Sequence, residues 1–327
     1  MRPVAVIPVA GAGTRLRPHT LTTPKALLAV AGKPILAHIL EQLAAVAPSK
    51  VVLVVSPGEM GDRLRLFGEA WKGLDVVSVV QEEPLGLGHA VAQARDAVDG
   101  APVLIILGDT ILRADLAGLL AGGSFVGVRE VEDPRRFGVA TVRDGRITAL
   151  VEKPEHPVSN LALVGLYFLE HSRGLFECLE EVQRSGKRTR GEIQLTDALA
   201  ALLARGEELR PFPVEGWYDC GKTEALLETN RALLDVLAPR TTRPGVVIVP
   251  PVALDPSADV LHAVIGPYAS IGAGARIRRS VVQNSIVNEG ATVEDILLDL
   301  SVVGENALVR GAYQRLNVGD SSEVEVS

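Results

Sequence analysis

The sequence predicts an α/β fold: a doubly wound, mostly parallel sheet followed by a parallel β-helix. Three observations carry that reading. Short apolar runs rich in β-branched residues alternate with helical patterns through the first half of the chain. A glycine-rich turn follows the first of those runs directly. From about residue 246 onward, aliphatic residues recur every six positions.

The elements follow in order. Val4–Ile7, Val51–Val55, Val76–Val80 and Val103–Leu107 read as buried strands. Between them, Pro34–Ala47, Gly61–Trp71 and Gly88–Val98 place apolar residues at helical spacing. Such alternation implies right-handed crossovers and parallel pairing, with ligands bound beyond the carboxyl ends of the strands. Residues 124–170 turn to short strands, Phe125–Val128, Val139–Val142, Ile147–Val151 and Leu163–Leu169, with a hairpin signal at Asp144-Gly145. Helices around 173–184 and 192–205 come next, then Leu209–Val214, Trp217–Asp219 and a helix over Thr223–Leu237. Pro239 and Pro244 bracket a linker, which divides the chain into domains 1–240 and 245–327. In the second domain Ile265, Ile271 and Ile277 keep the six-residue period, as do Val287 with Val293 and Val303 with Val309. One inward aliphatic residue per unit, three units per coil, is the pattern of a parallel β-helix; an ordinary small β-domain is the alternative.

Composition narrows the classes. The chain has 327 residues, 47% hydrophobic and 22% charged, as a globular protein does. Its 33 Lys and Arg against 40 Asp and Glu leave a net charge of −7, which argues against nucleic acid or an anionic membrane as partner. No apolar run approaches the ~20 residues of a membrane helix. Residues 1–10 read as a strand rather than a signal peptide, and Cys178 and Cys220 have neither CxxC nor zinc spacing, so a reduced, cytoplasmic setting is expected.

The chemistry starts at Pro8-Val-Ala-Gly-Ala-Gly-Thr-Arg15. Ala10, Gly11, Ala12 and Gly13 let phosphates approach backbone N–H groups, and Arg15 and Lys25 add cations. The spacing is neither that of a P-loop nor GxGxxG, and Gly11-x-Gly13 alone reads as a plain turn; Thr14-Arg15-Leu16 and Pro24-Lys25 tip it toward a phosphate site. Asp109 and Asp219 each end a strand and precede a small residue or glycine. Two such carboxylates suit Mg²⁺ held mainly by phosphate oxygens and water, although each also reads as a helix cap. Gln81 carries a donor and an acceptor, as needed to pair with the imide edge of uracil or thymine, yet a strand-end Gln is also ordinary surface.

GxGTRLxPxT followed by Pro24-Lys25, with Leu107-Gly-Asp109, Val151-Glu-Lys-Pro154 and the six-residue tail, resembles the sugar-1-phosphate nucleotidyltransferases over essentially the whole chain. The resemblance implies a Rossmann-like catalytic sheet with a left-handed hexapeptide-repeat β-helix behind it. It implies nucleotide contacts at Val9, Ala10, Gly11, Gly13, Thr14, Arg15, Gln81 and Gly86. Sugar-phosphate contacts fall at Gly138, Glu152, Lys153, Gly165, Tyr167 and Arg190, and metal ligands at Asp109 and Asp219. Arg15, Lys25, Asp109, Lys153 and Asp219 become the catalytic set, with Mg²⁺ as cofactor. The implied reaction joins a nucleoside triphosphate, dTTP or UTP first, to a sugar 1-phosphate, glucose 1-phosphate first. Guanylyl or adenylyl transfer, a catalytically silent regulatory homologue, and acyl transfer by the tail are the alternatives. A solenoid this short also favours a homo-oligomer.

Overall fold

The computed structural model describes residues 2–119, 122–237 and 242–311. The chain forms two compact units, one of Met1–Leu28 with Lys33–Leu226, the other of Ala29–Gly32 with Leu227–Ser327.

In the first unit, the strands Val76–Val80, Lys50–Val55, Val4–Pro8 and Val103–Ile106 lie side by side in that spatial order, all parallel. After the first strand the chain moves two strands to one side, then returns to the other side with Val103–Ile106. The loops leaving Val4–Pro8 and Val103–Ile106 therefore diverge and open a crevice at that switch point. Both faces of the sheet are covered, so its strands read as continuous apolar runs. Val4, Val6, Val52, Val54, Val103 and Ile105 pack with Val91 and Ala94 and with the helices Ser172–Arg184 and Leu195–Ala204. Leu53 points the other way, where Gly68 of the helix Glu59–Glu69 approaches so closely that a Cβ would sit 2.7 Å from it.

Beyond Val103–Ile106 the sheet is mixed rather than mostly parallel. Leu161–Leu169 runs antiparallel to Val103–Ile106, Phe125–Glu130 and Gly138–Arg143. The hairpin Gly138–Arg143 to Arg146–Glu152 turns at Asp144 and Gly145, with φ of 50° and 74°, the left-handed pair that the Asp-Gly signal predicts. The expected helix Gly88–Val98 is two, Leu87–Ala92 and Arg95–Val98. Between them Gln93 and Ala94 bond back only three residues, to Ala90 and Val91, a tightened turn that carries Ala94 fully into the core. The helix expected over 192–205 starts at Leu195, because Ile193 is held in extended pairing with Leu85 and Gly88. Local periodicity carries no information about such a distant partner. A two-stranded ribbon, Thr110–Arg113 against Gly216–Asp219, completes this unit.

The second unit holds three parallel four-stranded sheets whose strands succeed one another in rotation, consistent with a left-handed β-helix. Ile265, Ile271 and Ile277 point into it with at most 1% exposure, and Val287, Val293 and Val303 continue the stack. Asn230, on the helix Thr223–Leu237, is buried in this unit. Its side-chain oxygen accepts from Ala31 N–H and the Ser270 hydroxyl, and its nitrogen donates to Tyr268 C=O. Pro239, one bracket of the expected linker, lies outside the described residues.

Candidate active site

At the switch point a cleft of about 510 Å³ opens, lined by Val9 to Thr14, Lys25, Gln81, Gly86, Asp109 and Glu192 among others. Ala10, Gly11, Ala12 and Gly13 donate their backbone N–H groups to no group among the described residues. Four adjacent unused donors beside a cleft form a cradle for an anion. Gly11 has open space where a Cβ would stand, so the loop leaves room for a ligand there. Gly13 has another duty: its φ of 58° caps the turn Thr14–Leu16, and Thr20 Oγ1 donates to its carbonyl. Arg15 follows on that turn, exposed, and no described residue pairs with it.

The two aspartates converge because the ribbon brings them together. Asp219 stands opposite Thr110, and Cys220 N–H donates to Asp109 C=O at 3.0 Å. Gly108 lets the second strand end close on the first: a Cβ there would lie 2.3 Å from Val9. Burial, then the negative charge of Asp109, raises the Asp219 carboxyl above the usual carboxylate range, against the opposing pull of Lys25 and Arg15. Lys25 Nζ bonds Asp109 Oδ2 at 2.6 Å. A lysine read from sequence as a phosphate holder thus closes on one of the two acids.

No cluster of three His, Cys, Asp or Glu able to hold a metal exists among the described residues. Two neighbouring oxygen-bearing acids, one of them raised by burial and then by the charge of the other, still fit a hard divalent cation whose remaining ligands come from phosphate and water.

Gln81 is 5% exposed and donates its side-chain Nε2–H to Gly86 C=O at 3.1 Å. Gly86 has φ of 115°, and a Cβ there would meet the Ile193 carbonyl at 2.7 Å. The loop 85–88 is stitched to the segment 189–194 by Ile193 N–H to Leu85 C=O and Gly88 N–H to Ile193 C=O, both 2.8 Å. That segment carries Arg190, which donates to Lys153 C=O at 3.3 Å. Lys153 and Arg190 both hold positive φ, 42° and 53°. Such angles in long side chains store strain that the surroundings must impose.

Glu152 joins the same group. It sits 3.1 Å from Lys153 Nζ and accepts from Thr196 Oγ1 at 2.7 Å. Gly138 touches this cluster so closely that a Cβ would lie 3.0 Å from Glu152 and 3.1 Å from Thr196. Tyr167 is buried, its hydroxyl pushed up by burial and then by the charges of Glu152 and Asp109. Gly165 lies under the Asp109 loop, where its φ of 80° and the Leu107 side chain supply a packing reason for glycine. Glu192, Thr196 and His89 also belong to this region, though the sequence assigns them no contact of their own. Each gains its place from a partner far away in the chain.

The chain matches the model of the nucleotidyl transferase family over residues 4–236. It is 33% identical to the glucose-1-phosphate thymidylyltransferase of Streptomyces antibioticus over 358 aligned positions, covering 98% of this chain and 99% of that one. A second relative, the UTP–glucose-1-phosphate uridylyltransferase AglF of Haloferax volcanii, is 33% identical and covers 70% of this chain and 96% of its own length. Among solved structures, a UDP-glucose pyrophosphorylase complexed with UDP-glucose superposes with a TM-score of 0.62 at 28% identity, over 72% of this chain and 99% of that one. With a doubly wound sheet, an amide-lined cleft at its switch point and this likeness in sequence, the chain belongs to the nucleotidyl transferase family.

Proposed function

We propose that the chain transfers a nucleotidyl group from a nucleoside triphosphate, dTTP or UTP first, to the phosphate of a sugar 1-phosphate, glucose 1-phosphate first. The observation that carries this reading is the pairing of two anion-holding groups. One is the row of unused amides with Arg15 and Lys25; the other is Glu152, Lys153, Thr196 and Arg190. The relatives named above for glucose 1-phosphate support the choice of sugar.

A sugar-phosphate oxygen attacks the α-phosphorus, the new P–O bond forms as the bond to the β-phosphate oxygen breaks, and pyrophosphate leaves opposite. Attacking and leaving groups are both anions, so no side chain has to take or give a proton. What the protein supplies is alignment and charge. The amides of Ala10 to Gly13 and the Arg15 guanidinium hold the departing β and γ phosphates. Lys153 and Arg190 steady the attacking phosphate, and Glu152 accepts from sugar hydroxyls. Asp109 and Asp219 would hold Mg²⁺, which when bound neutralises the triphosphate. Lys25 occupies one oxygen of Asp109 and keeps that carboxylate aimed into the cleft.

The test is pyrophosphate release with dTTP, UTP, CTP, ATP and GTP, each paired with several sugar 1-phosphates, with Mg²⁺ and with chelator. The reading expects release that needs Mg²⁺ and favours a pyrimidine nucleotide with glucose 1-phosphate. Absence of release from every pair, with nucleotide still bound, would reject it in favour of a regulatory binding role.

A further inference from the structure

We infer that His89 is a positioning residue for base recognition: it locks the Gln81 amide with its carbonyl oxygen toward the cleft, as an acceptor for a ring N–H. The inference rests on the reading of Gln81 as the base-facing side chain. Both residues are buried, at 5% and 8% exposure, and Gln81 lines the cleft while His89 stands behind it.

The hydrogen-bond arithmetic leaves one orientation. Gln81 Nε2 lies 3.1 Å from Gly86 C=O and 3.0 Å from His89 Nδ1. A carbonyl only accepts, so the Gln81 nitrogen must face it, and an amide NH₂ has two hydrogens. One goes to Gly86 and the other to Nδ1, which is then the unprotonated ring nitrogen. The ring proton then falls on Nε2, which faces the Gln93 amide nitrogen at 3.2 Å. Gln93 Nε2 also lies 3.2 Å from His89 C=O, a contact that competes for the opposite tautomer, but Gln93 is half-buried and can give that contact up to water and turn its oxygen toward the ring proton. Gln81, enclosed on its nitrogen side, has no such freedom.

Both hydrogens of the Gln81 amide are thereby committed inside the protein, and Oε1 is left without a partner among the described residues. The N–H of Gly86 also donates to nothing described. An acceptor beside a donor complements an imide, whose ring N–H lies next to a carbonyl. Without Nδ1 the amide keeps a single tether at Gly86 and its oxygen loses its fixed direction. His89 touches the reader of the base, not the reacting phosphates.

The test compares the binding of UTP with that of N3-methyl-UTP, which lacks the ring N–H, by calorimetry in wild type, His89→Leu and His89→Asn. Asn places an amide oxygen where Nδ1 stands and so keeps the acceptor; Leu does not. Wild type is expected to prefer UTP about tenfold, the equivalent of one oriented hydrogen bond of roughly 1.4 kcal/mol. His89→Leu should bring that ratio close to one, His89→Asn should restore most of it, and affinity for glucose 1-phosphate should be unchanged in all three. A ratio insensitive to His89→Leu, an equal collapse in both variants, or no preference in wild type would each overturn the inference. Pyrophosphate release by the same wild-type preparation reads the catalytic proposal separately. Binding that follows the expected pattern without any release would sink the catalysis and leave the positioning role standing.

Discussion

The two units differ in what they leave unsatisfied. In the β-helix, each strand finds its partner on the next rung, and the register carries Ile248 onto Ile265, Val282 and Leu298. Polar groups follow suit: buried Asn230 and Asn288 spend their side chains on neighbours. In the catalytic unit the reverse holds around the cleft. Four amides donate to nothing described, Arg15 is unpaired there, and Asp219 is half-buried near a second acid. Unused donors and an unpaired cation gathered around one cleft are the groups that a ligand would complete. The difference separates stability from function, and substitutions on either side should move one and spare the other.

The largest effect is expected at Asp109. Asp109→Asn keeps an acceptor for Lys25 and removes the charge, so pyrophosphate release should fall by roughly 10³ while the melting temperature shifts by only a few degrees. Unchanged turnover at any Mg²⁺ concentration would remove Asp109 from the chemistry. Arg15→Ala comes next. An exposed arginine with no partner inside the protein contributes little to folding, but its loss from the leaving-group side should cost on the order of 10²–10³ in kcat. A loss confined to stability would break the comparison at its clearest point.

In the solenoid, Ile277→Ala should act the other way. The side chain is fully buried, so the fold should lose about 2–5 kcal/mol, read from denaturant unfolding, with KM for both substrates unchanged. Gly86→Ala tests the join between the two halves of the site. The new Cβ would meet backbone of Ile193 at 2.7 Å on a residue with φ of 115°, and relief requires loops 85–88 and 189–194 to part. Because the second loop carries Arg190, KM should rise several-fold for the nucleotide and for the sugar phosphate together. A rise for the nucleotide alone would show that the loops move independently.

How much of this was legible beforehand follows from where each partner lies. The six-residue period and the Asp144-Gly145 turn are local signals, and both appear in the structure where the residues put them. The opening loop was legible because a strand, glycines and two cations stand close together in sequence. The ribbon that joins Asp109 to Asp219, the extended pairing at Ile193 and the Thr196 hydroxyl on Glu152 were not. Each is made by residues too far apart for any spacing rule, and Glu192–Gln194 had helical periodicity that tertiary pairing overrode. Gln81 was legible by type only. That its nitrogen is committed inward needed the positions of Gly86 and His89.

The smallest predicted effect is on stability at the site itself, and its sign follows from Asp219. Burial and the nearby Asp109 raise its carboxyl above the value it has in the unfolded chain. A raised acid binds its proton more tightly in the fold, so its favourable contribution is present below the unfolded value and is lost as pH rises through the folded one. At pH 7, in chelator, an ionised Asp219 therefore weighs against folding. Asp219→Asn should melt above wild type there, with the gap closing as pH falls below the ordinary carboxylate range. Mg²⁺ with nucleotide should raise the wild-type melting temperature by mass action and move the variant less. Equal melting of the two proteins at pH 7 in chelator would mean that the acid pair is not strained. The contrast between a self-satisfied solenoid and an unsatisfied cleft would then rest on the amides and Arg15 alone.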